Sequence, residues 1–254
     1  MHPILSSTFP DLKLLPGGTE AQIYFDLEGT ERPLLSEDQD SVVIIENLVS
    51  ETDVNNLQKI FNNSPNKETV SALGRKNEKI DNYAGSERLS IWAPNLSDQL
   101  YKLLQPFLKE REFNEFSRTD FWQEPLSYKW RPIGLSPLLR MMSYPPGALH
   151  LPHYDAAFIY PDARYRSLMS VLFYLSSHQN GGSTRILKDG QDMIPESLRK
   201  HQDRDSKAGQ EEVLFKVSPK SGSVFLFDHR LYHDAEPCSE ERILIRTDLV
   251  FEAI

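Results

Sequence analysis

Short runs of apolar residues, separated by turns, dominate the second half of the chain. Residues 138–144 form an apolar stretch that is compatible with a β-strand, and the residues 145–147, Pro-Pro-Gly, then require a turn. Further extended segments of the same kind cover residues 149–155, 167–175, 183–187, 223–228 and 242–251. Regular short strands with turn signals between them predict a mainly β fold with a double-sheet jelly roll, or double-stranded β-helix, as its core.

The first 130 residues combine strand patterns with helical ones. Alternation of apolar and polar residues predicts a half-buried strand over residues 22–28, and a second strand is predicted over 41–49. The capping box Ser50–Asp53 then opens a helix that continues to about residue 62. A second helix is expected to bend or end at Pro106. Its apolar face consists of Leu96, Leu100, Leu103, Leu104 and Phe107. Both helices are expected to cover one face of the main sheet.

The chain contains no internal repeat and no linker that would divide it. We therefore expect residues 1–130 to supply N-terminal strands and supporting helices, integral to the same domain as a jelly-roll core of residues 131–254. Two polar stretches, 74–85 and 188–212, interrupt the regular pattern. Because they are too polar to contribute to a core, they are predicted to be solvated surface loops.

Composition limits the partners and the compartment. The formal net charge is −9, so a nucleic-acid partner has no electrostatic support. The single cysteine, Cys238, excludes an internal disulfide and fits a reducing compartment. The N-terminus lacks the features of a signal peptide, and no apolar run is long enough for a membrane span. We expect a soluble, cytoplasmic protein without a membrane or nucleic-acid partner, and the sequence indicates no oligomeric state.

The chain offers one candidate metal-ligand set. His153 and Asp155 form a His-x-Asp triplet, and His233 and Arg242 lie far along the chain. In an extended segment residues i and i+2 point the same way, so the histidine and the aspartate would share a side while Tyr154 points away. Two imidazoles and one carboxylate form the ligand set of non-haem iron oxygenases, which leaves three coordination positions open. A His-x-Asp triplet alone occurs by chance in many chains, so its surroundings decide.

Those surroundings, taken in order, resemble the catalytic domain of the prolyl 4-hydroxylase type of 2-oxoglutarate and Fe(II)-dependent oxygenases. The resemblance extends from about residue 138 to residue 251. Its blocks are the strand, turn and His-x-Asp of 140–155, the strand 171–175, the double glycine 181–182, the segment 222–228, His233 and the closing strand 242–251. An ordered match of this kind is more specific than any single motif. It implies a jelly-roll oxygenase that uses Fe(II), 2-oxoglutarate and dioxygen, with ascorbate as a supporting reductant.

By this resemblance, His153, Asp155 and His233 bind the iron. His229 is the competing ligand, but in the family the strand has not yet turned back to the metal at that position. Arg242, the first arginine after His233, is implied to bind the C5 carboxylate of 2-oxoglutarate. A guanidinium group suits this role because it can bind a carboxylate through two parallel hydrogen bonds.

Three further residues are predicted to contact the cosubstrate. Arg246 lies on the same side of its strand as Arg242 by two-residue parity, although it could instead pair with an acidic neighbour such as Asp248. Tyr174 and Tyr144 match family positions whose hydroxyl groups approach the cosubstrate. Tyr174 lies in an apolar strand and could equally be a core residue.

The chain departs from the family pattern at two positions. Ser183 follows the double glycine where an acidic residue is frequent, which would alter a supporting contact rather than the metal site. Arg242 stands where collagen-type members use lysine. An arginine at this position is more like the intracellular oxygen-sensing branch. Asp155 argues against halogenation, because halogenating relatives carry a small residue there so that chloride can bind the iron.

The resemblance implies hydroxylation of an unactivated carbon, and we expect a prolyl or other amino-acid residue in a peptide or protein as the substrate. A free amino acid, a lysyl side chain or a small natural product is the alternative substrate. A non-catalytic sensor of metal or 2-oxoglutarate is the alternative from another functional class, and the acidic chain disfavours a nucleic-acid dealkylase. The stretch 74–85 resembles in position the substrate-covering loop of prolyl hydroxylases. Arg75, Tyr83 and Arg88 are therefore predicted to contact the substrate.

Overall fold

In the computed structural model the chain forms two β-sheets with flanking helices. The structure describes residues 20–24, 42–76, 83–108, 111–112, 129–158, 160–161, 164–188, 206–229 and 231–254. Within these ranges the helices are α1 (Glu51–Asn63) and α2 (Pro94–Leu104), with 3-10 turns at Gln105–Phe107 and Gln210–Glu212. The strands are β1 (Glu20–Tyr24), β2 (Val42–Glu46), β3 (Glu68–Val70), β4 (Ser86–Trp92), β5 (Arg111–Glu112), β6 (Lys129–Leu135), β7 (Leu138–Tyr144), β8 (His150–His153), β9 (Tyr165–Tyr174), β10 (Thr184–Leu187), β11 (Val213–Val217), β12 (Val224–Asp228), β13 (His233–Ala235) and β14 (Arg242–Ala253).

The last eight strands are divided between the two sheets. The larger sheet has the order β1-β2-β12-β9-β14-β7-β4-β3, with β6 pairing to β14 and β5 to β6, and the smaller sheet has the order β11-β10-β13-β8. From β7 onwards the chain passes back and forth, so that β7, β9, β12 and β14 lie in the larger sheet and β8, β10, β11 and β13 in the smaller one. This arrangement is a double-stranded β-helix, and the predicted jelly roll is confirmed.

Strand β9 lies in the middle of the larger sheet, between β12 and β14. Every residue from Arg166 to Tyr174 is buried, which explains why apolar and polar residues do not alternate along this strand. Its buried serines have partners: Ser167 Oγ accepts a hydrogen bond from the Phe158 amide at 2.8 Å, and Ser170 Oγ donates to Asp155. The second of these contacts connects the core strand to the predicted metal ligands.

Helix α1 begins where the capping box predicts. Ser50 is its N-cap, and the serine Oγ accepts a hydrogen bond from the amide of Asp53 at 3.2 Å. Gln58 on the same helix donates from Nε2 to the carbonyl oxygen of Leu175 at 2.6 Å. This bond fixes α1 to the end of β9.

Helix α2 packs on β6 and ends where proline requires it. Ser97 Oγ donates to the carbonyl oxygen of Leu135 at 2.8 Å. The helix ends at Leu104, and Pro106 lies in the 3-10 turn that follows, as predicted. None of the helices in the described part of the chain is long and apolar enough to cross a membrane.

Most predicted strands are present, with small differences at their ends. The strand predicted over 22–28 is observed as β1 up to Tyr24, and residues 25–28 lie outside the described residues, as do 77–82 and 189–205 of the two polar stretches. Six of the strands in the described part of the chain were not predicted from the sequence, namely β3, β4, β5, β6, β11 and β13. Two of them, β4 and β3, extend the larger sheet beyond β7.

Candidate metal and cosubstrate site

A cavity of about 230 Å³ has walls from both sheets of the β-helix. Imidazole, carboxylate and guanidinium groups lie close together in its lining, among apolar side chains. The larger sheet contributes Arg88, Arg140, Tyr144, Arg242 and Arg246, and the smaller sheet contributes His150, His153, Thr184 and His233. Asp155 lies in the segment that follows β8.

His153, Asp155 and His233 converge in this cavity. Strands β8 and β13 are antiparallel neighbours whose register sets His153 opposite His233, with the ring centroids 4.2 Å apart. Asp155 Oδ1 lies 3.8 Å from His153 Nε2, and Asp155 Oδ2 lies 3.6 Å from His233 Nε2. One ligand atom from each residue lies within 4.8 Å of the others, so a single ion can contact all three.

Both histidines present the same ring nitrogen to the aspartate. His153 Nδ1 lies 2.7 Å from the carbonyl oxygen of Leu151, and His233 Nδ1 lies 2.9 Å from that of Leu231. Because a carbonyl oxygen can only accept, each Nδ1 carries the proton and each Nε2 keeps its lone pair. Hydrogen bonds of this kind orient the imidazole ligands of protein metal sites. The backbone thus prepares both rings for a metal.

Asp155 is held by two side chains rather than by strand geometry. Strand β8 ends at His153, so the aspartate lies beyond it. Ser170 Oγ donates a hydrogen bond to Asp155 Oδ2, and Arg246 Nη2 lies 2.7 Å from Oδ1. Burial alone would raise the pKa of Asp155, but the Arg246 guanidinium and the two nearby imidazoles hold it well below its usual value. The carboxyl group is therefore ionised.

The imidazoles of His150 and His233 are neutral at physiological pH. Burial, followed by the proximity of His153, lowers the pKa of His233 to about 3. The ring of His150 stacks on that of His153 with centroids 4.0 Å apart. Burial, followed by the two neighbouring imidazoles, lowers the pKa of His150 well below its usual value. Neutral imidazole is the form that binds a metal, so the donor set of two nitrogens and one carboxylate fits Fe(II).

Arg242 provides a second, distinct feature of the cavity. It is fully buried, its guanidinium lies 4.1 Å from the centroid of the Tyr144 ring, and Nη1 donates to the carbonyl oxygen of Gly182 at 2.6 Å. Its Nε and Nη2 are buried without a hydrogen-bond partner among the described residues. These two nitrogens form one edge of the guanidinium, the edge that can bind a carboxylate through parallel bonds. A buried cation with this edge free fits the C5 carboxylate of 2-oxoglutarate.

The double glycine is required by close packing next to Arg242. Both glycines have positive φ, 78° at Gly181 and 74° at Gly182. A Cβ on Gly181 would lie 2.3 Å from the carbonyl oxygen of Pro237, and one on Gly182 would lie 3.0 Å from Cβ of Cys238. Any other residue would therefore displace the loop whose carbonyl oxygen binds Arg242.

The other predicted cosubstrate residues occupy different parts of the site. Tyr144 lines the cavity and stacks with Arg242. Tyr174 is buried, and its hydroxyl donates to Thr184 Oγ1 at 2.8 Å; Thr184 lines the cavity. Burial raises the pKa of Tyr174 to about 12, so it stays protonated. Arg246 lines the cavity beside Asp155, with which it forms the ion pair described above.

His229, the competing ligand, lies outside the group of three. It is fully buried, and its Nε2 lies 3.4 Å from Asp248 Oδ1. Asp248 Oδ1 also lies 3.4 Å from Arg246 Nη2, so the predicted pairing of Arg246 with Asp248 is present as well. Asp248 and Arg246 thus connect His229 to Asp155.

Of the three predicted substrate residues, Arg88 lies in the cavity wall. Its Nε and Nη2 pair with Glu68 at 2.9 and 2.7 Å, and its Nη1 donates to the carbonyl oxygen of Gly74 at 3.0 Å. Arg75 is exposed, and Tyr83 packs on a small separate apolar cluster. Neither Arg75 nor Tyr83 contributes to the lining of the cavity.

Sequence reasoning missed several residues that support the site. Arg185 Nε donates to Asp234 Oδ1 at 2.7 Å and Arg185 Nη2 donates to Oδ2, which gives a buried bidentate ion pair next to His233. Nothing in the sequence indicates this pairing, because the two residues lie on strands whose register is a tertiary property. Arg140 could have been found, since it shares the two-residue parity of Tyr144 on β7.

One protein-family model matches most of this chain, and several solved structures resemble it at low sequence identity. The model of the phytanoyl-CoA dioxygenase (PhyH) family matches residues 38–243. No curated protein sequence matches the chain significantly. Among solved structures, a Trichoplax adhaerens prolyl hydroxylase in complex with a hypoxia inducible factor oxygen degradation domain peptide fragment is 18% identical with a TM-score of 0.49, covering 82% of this chain and 83% of that chain.

Two further solved structures are similar at the same level. The collagen prolyl hydroxylase of Paramecium Bursaria Chlorella virus-1, in its 2-oxoglutarate complex, is 16% identical with a TM-score of 0.45, covering 85% of this chain and 98% of that chain. HygX from Streptomyces hygroscopicus with nickel and 2-oxoglutarate bound is 14% identical with a TM-score of 0.45, covering 84% and 82%. The family match spans most of the chain and includes the three converging residues. The chain therefore belongs to the phytanoyl-CoA dioxygenase family and is an enzyme of the 2-oxoglutarate and Fe(II)-dependent dioxygenase class.

Proposed function

We propose that this enzyme hydroxylates an unactivated carbon of an amino-acid substrate, with His153, Asp155 and His233 as the Fe(II) ligands and Arg242 as the residue that binds 2-oxoglutarate. One observation carries the proposal. The cavity that contains the three converging side chains also contains a fully buried arginine with Nε and Nη2 free of partners among the described residues. A metal-chelating dicarboxylate needs both features, an ion at one end and a cation at the other.

The chain itself supplies binding, orientation and charge. His153 and His233 would contribute Nε2 lone pairs, because their Nδ1 hydrogens are engaged by backbone carbonyl oxygens. Asp155 and His233 are 7% and 6% exposed in their side chains, so few water molecules can reach them. When bound, Fe(II) and 2-oxoglutarate supply the oxidising chemistry, in which dioxygen gives one oxygen atom to succinate, with loss of carbon dioxide, and one to the substrate C–H bond, which becomes C–OH.

We infer that the carbon belongs to a prolyl or other amino-acid residue of a peptide or protein. The ordered resemblance of the blocks in 138–251 to prolyl 4-hydroxylases supports this substrate class. A free amino acid or a small natural product is the second candidate. The observation that favours it is the basic lining of the cavity, to which Arg88, Arg140 and Arg246 all contribute. A small anionic molecule would be attracted by such a lining.

The proposal is tested by incubating the enzyme with Fe(II), ascorbate and labelled 2-oxoglutarate in the presence of peptide and metabolite libraries. We expect succinate to be released and one library member to gain the mass of one oxygen atom. The matched control is Asp155→Ala, which should do neither. Binding of metal and 2-oxoglutarate by the wild-type protein without any succinate release would contradict the proposal and indicate a sensor instead.

A further inference from the structure

Arg140 and Arg246 lie opposite each other on the inner face of the larger sheet. The pairing of β7 with β14 sets the two residues in register, and both line the cavity. Their side chains are 26% and 20% exposed, so both guanidinium groups are largely removed from water. Like charges directly opposite each other destabilise a sheet unless anions compensate them. Whether the two arginines can bind a further anion therefore depends on how far the carboxylates of the cavity already neutralise them.

The compensation of this arginine pair is incomplete. Asp248 serves both arginines: Oδ1 lies 3.4 Å from Arg246 Nη2, and Oδ2 lies 3.8 Å from Arg140 Nη1. The same carboxylate also lies 3.4 Å from His229 Nε2. Asp155 Oδ1, at 2.7 Å from Arg246 Nη2, is the second anion. The distances to Asp248 are long for charged hydrogen bonds, so one carboxylate is shared weakly between three groups.

The pair also retains unused donors. Arg140 Nη1 and Arg246 Nε are buried and have no hydrogen-bond partner among the described residues. Burial, followed by the proximity of Arg246, lowers the pKa of Arg140. The neighbouring Arg88 differs, because its Nε, Nη1 and Nη2 all have partners in Glu68 or Gly74. Unused donor capacity is thus a property of Arg140 and Arg246 within this part of the wall.

We propose that Arg140 and Arg246 together bind a carboxylate of the substrate, which favours the second candidate named above, a free amino acid or another small carboxylic acid, over a residue within a peptide. The inference rests on the proposed function, in which Asp155 is a metal ligand. A divalent ion neutralises much of the negative charge of a carboxylate that binds it. Asp155 then neutralises less of the positive charge of Arg246. The arginine pair is left short of one negative charge. A substrate carboxylate supplies that charge and accepts hydrogen bonds from the unused nitrogens.

This carboxylate site is separate from the one assigned to 2-oxoglutarate. Arg242 and Arg246 lie on the same side of β14, and the strand rise puts their Cα atoms about 13 Å apart. Arg242 contacts Gly182 and Tyr144, whereas Arg246 contacts Asp155. A carboxylate on the Arg246 side therefore holds the neighbouring carbon atoms of the same molecule next to the triad. Those are the carbons that would be hydroxylated.

The test is the binding of matched acids and amides to protein loaded with Mn(II) and saturating 2-oxoglutarate in the absence of oxygen. The probes are L-amino acids, N-acetyl-L-amino acids and the primary amides of both, and the readout is the midpoint of thermal unfolding. We expect at least one acid to raise the midpoint while its amide does not. Arg140→Gln should weaken the binding of that acid by about tenfold or more, because a charged hydrogen bond is lost. Arg140→Lys should retain part of the binding.

The matched control is Arg131→Gln, which removes an arginine whose side chain is 52% exposed and pairs with Glu252 at the surface. It should bind the acid like the wild type. Three results would overturn the inference: an amide that binds as tightly as its acid, binding by Arg140→Gln as tight as by the wild type, or binding of none of the acids. A preference for N-acetylated acids would support the carboxylate site and indicate that the substrate is the C-terminal residue of a peptide. Failure of the proposed function is distinguishable, since the wild type would then release no succinate with Fe(II).

Discussion

His153 and His233 face each other across the ladder of β8 and β13, and each donates its Nδ1 hydrogen to the carbonyl oxygen two residues earlier. The two imidazoles are therefore equivalent in tautomer and in the direction of Nε2, although they come from distant parts of the chain. The smaller sheet creates this pair through its register alone. Ser170 and Arg246, both on the larger sheet, hold Asp155 next to the two imidazoles.

Metal binding should depend on these three residues and not on His229. His153→Ala, Asp155→Ala and His233→Ala should each weaken Mn(II) binding by more than the roughly 10–100-fold typical of residues that only support a ligand. Anaerobic titration calorimetry measures the affinity. His229→Gln is the matched control and should retain the metal, because His229 contacts Asp248 instead. Loss of metal in His229→Gln, together with full binding by His233→Ala, would transfer the ligand role to His229.

Removal of Arg242 should raise the requirement for 2-oxoglutarate. A buried carboxylate that loses its cation costs about 2–4 kcal/mol, which corresponds to roughly a 30–1000-fold higher concentration for half-maximal succinate release. Arg242→Gln should show the full effect, and Arg242→Lys should recover part of it because the charge remains. Arg246→Gln should raise the requirement less. A larger effect in Arg246→Gln than in Arg242→Gln would exchange the two assignments.

The jelly roll could be predicted from local signals, whereas the triad needed the family resemblance as well. Short apolar strands between glycines and prolines define the fold, and the spacing of His153 and Asp155 indicates two of the three ligands. The support of Asp155 could not be predicted, since Ser170 and Arg246 reach it through strand pairing that no local pattern encodes. Strand β13 was missed for a related reason: it has only three residues, and its pairing with β8 and β10 defines it.

The buried ion pair beside His233 should contribute strongly to stability. Asp234→Ala should lower the free energy of unfolding by about 3–5 kcal/mol, because it leaves the Arg185 guanidinium buried without its bidentate partner. Urea denaturation measures this change. The double variant Arg185→Met/Asp234→Leu should recover much of the loss, since it removes both charges. A double variant as unstable as Asp234→Ala would show that packing, rather than the uncompensated charge, is the cause.

The double glycine should tolerate no side chain. Gly181→Ala should destabilise the protein by about 1–3 kcal/mol, because φ is 78° and the new Cβ would lie 2.3 Å from the carbonyl oxygen of Pro237. Thermal unfolding followed by circular dichroism measures the effect. Gly134→Ala is the matched control on β6, where an added Cβ meets no atom within 4 Å. Equal destabilisation by both substitutions would contradict the steric explanation.

The most direct test of the central claim is the release of labelled succinate from 2-oxoglutarate by the wild type, Asp155→Ala and Arg242→Gln, with Fe(II), ascorbate and the amino-acid and peptide libraries. Asp155 and Arg242 are the two residues that would bind the ion and the cosubstrate through charge. We predict release by the wild type that stops when Fe(II) is chelated, no release by Asp155→Ala, and release by Arg242→Gln only at much higher 2-oxoglutarate concentrations. Succinate release by Asp155→Ala at the wild-type rate would contradict the account.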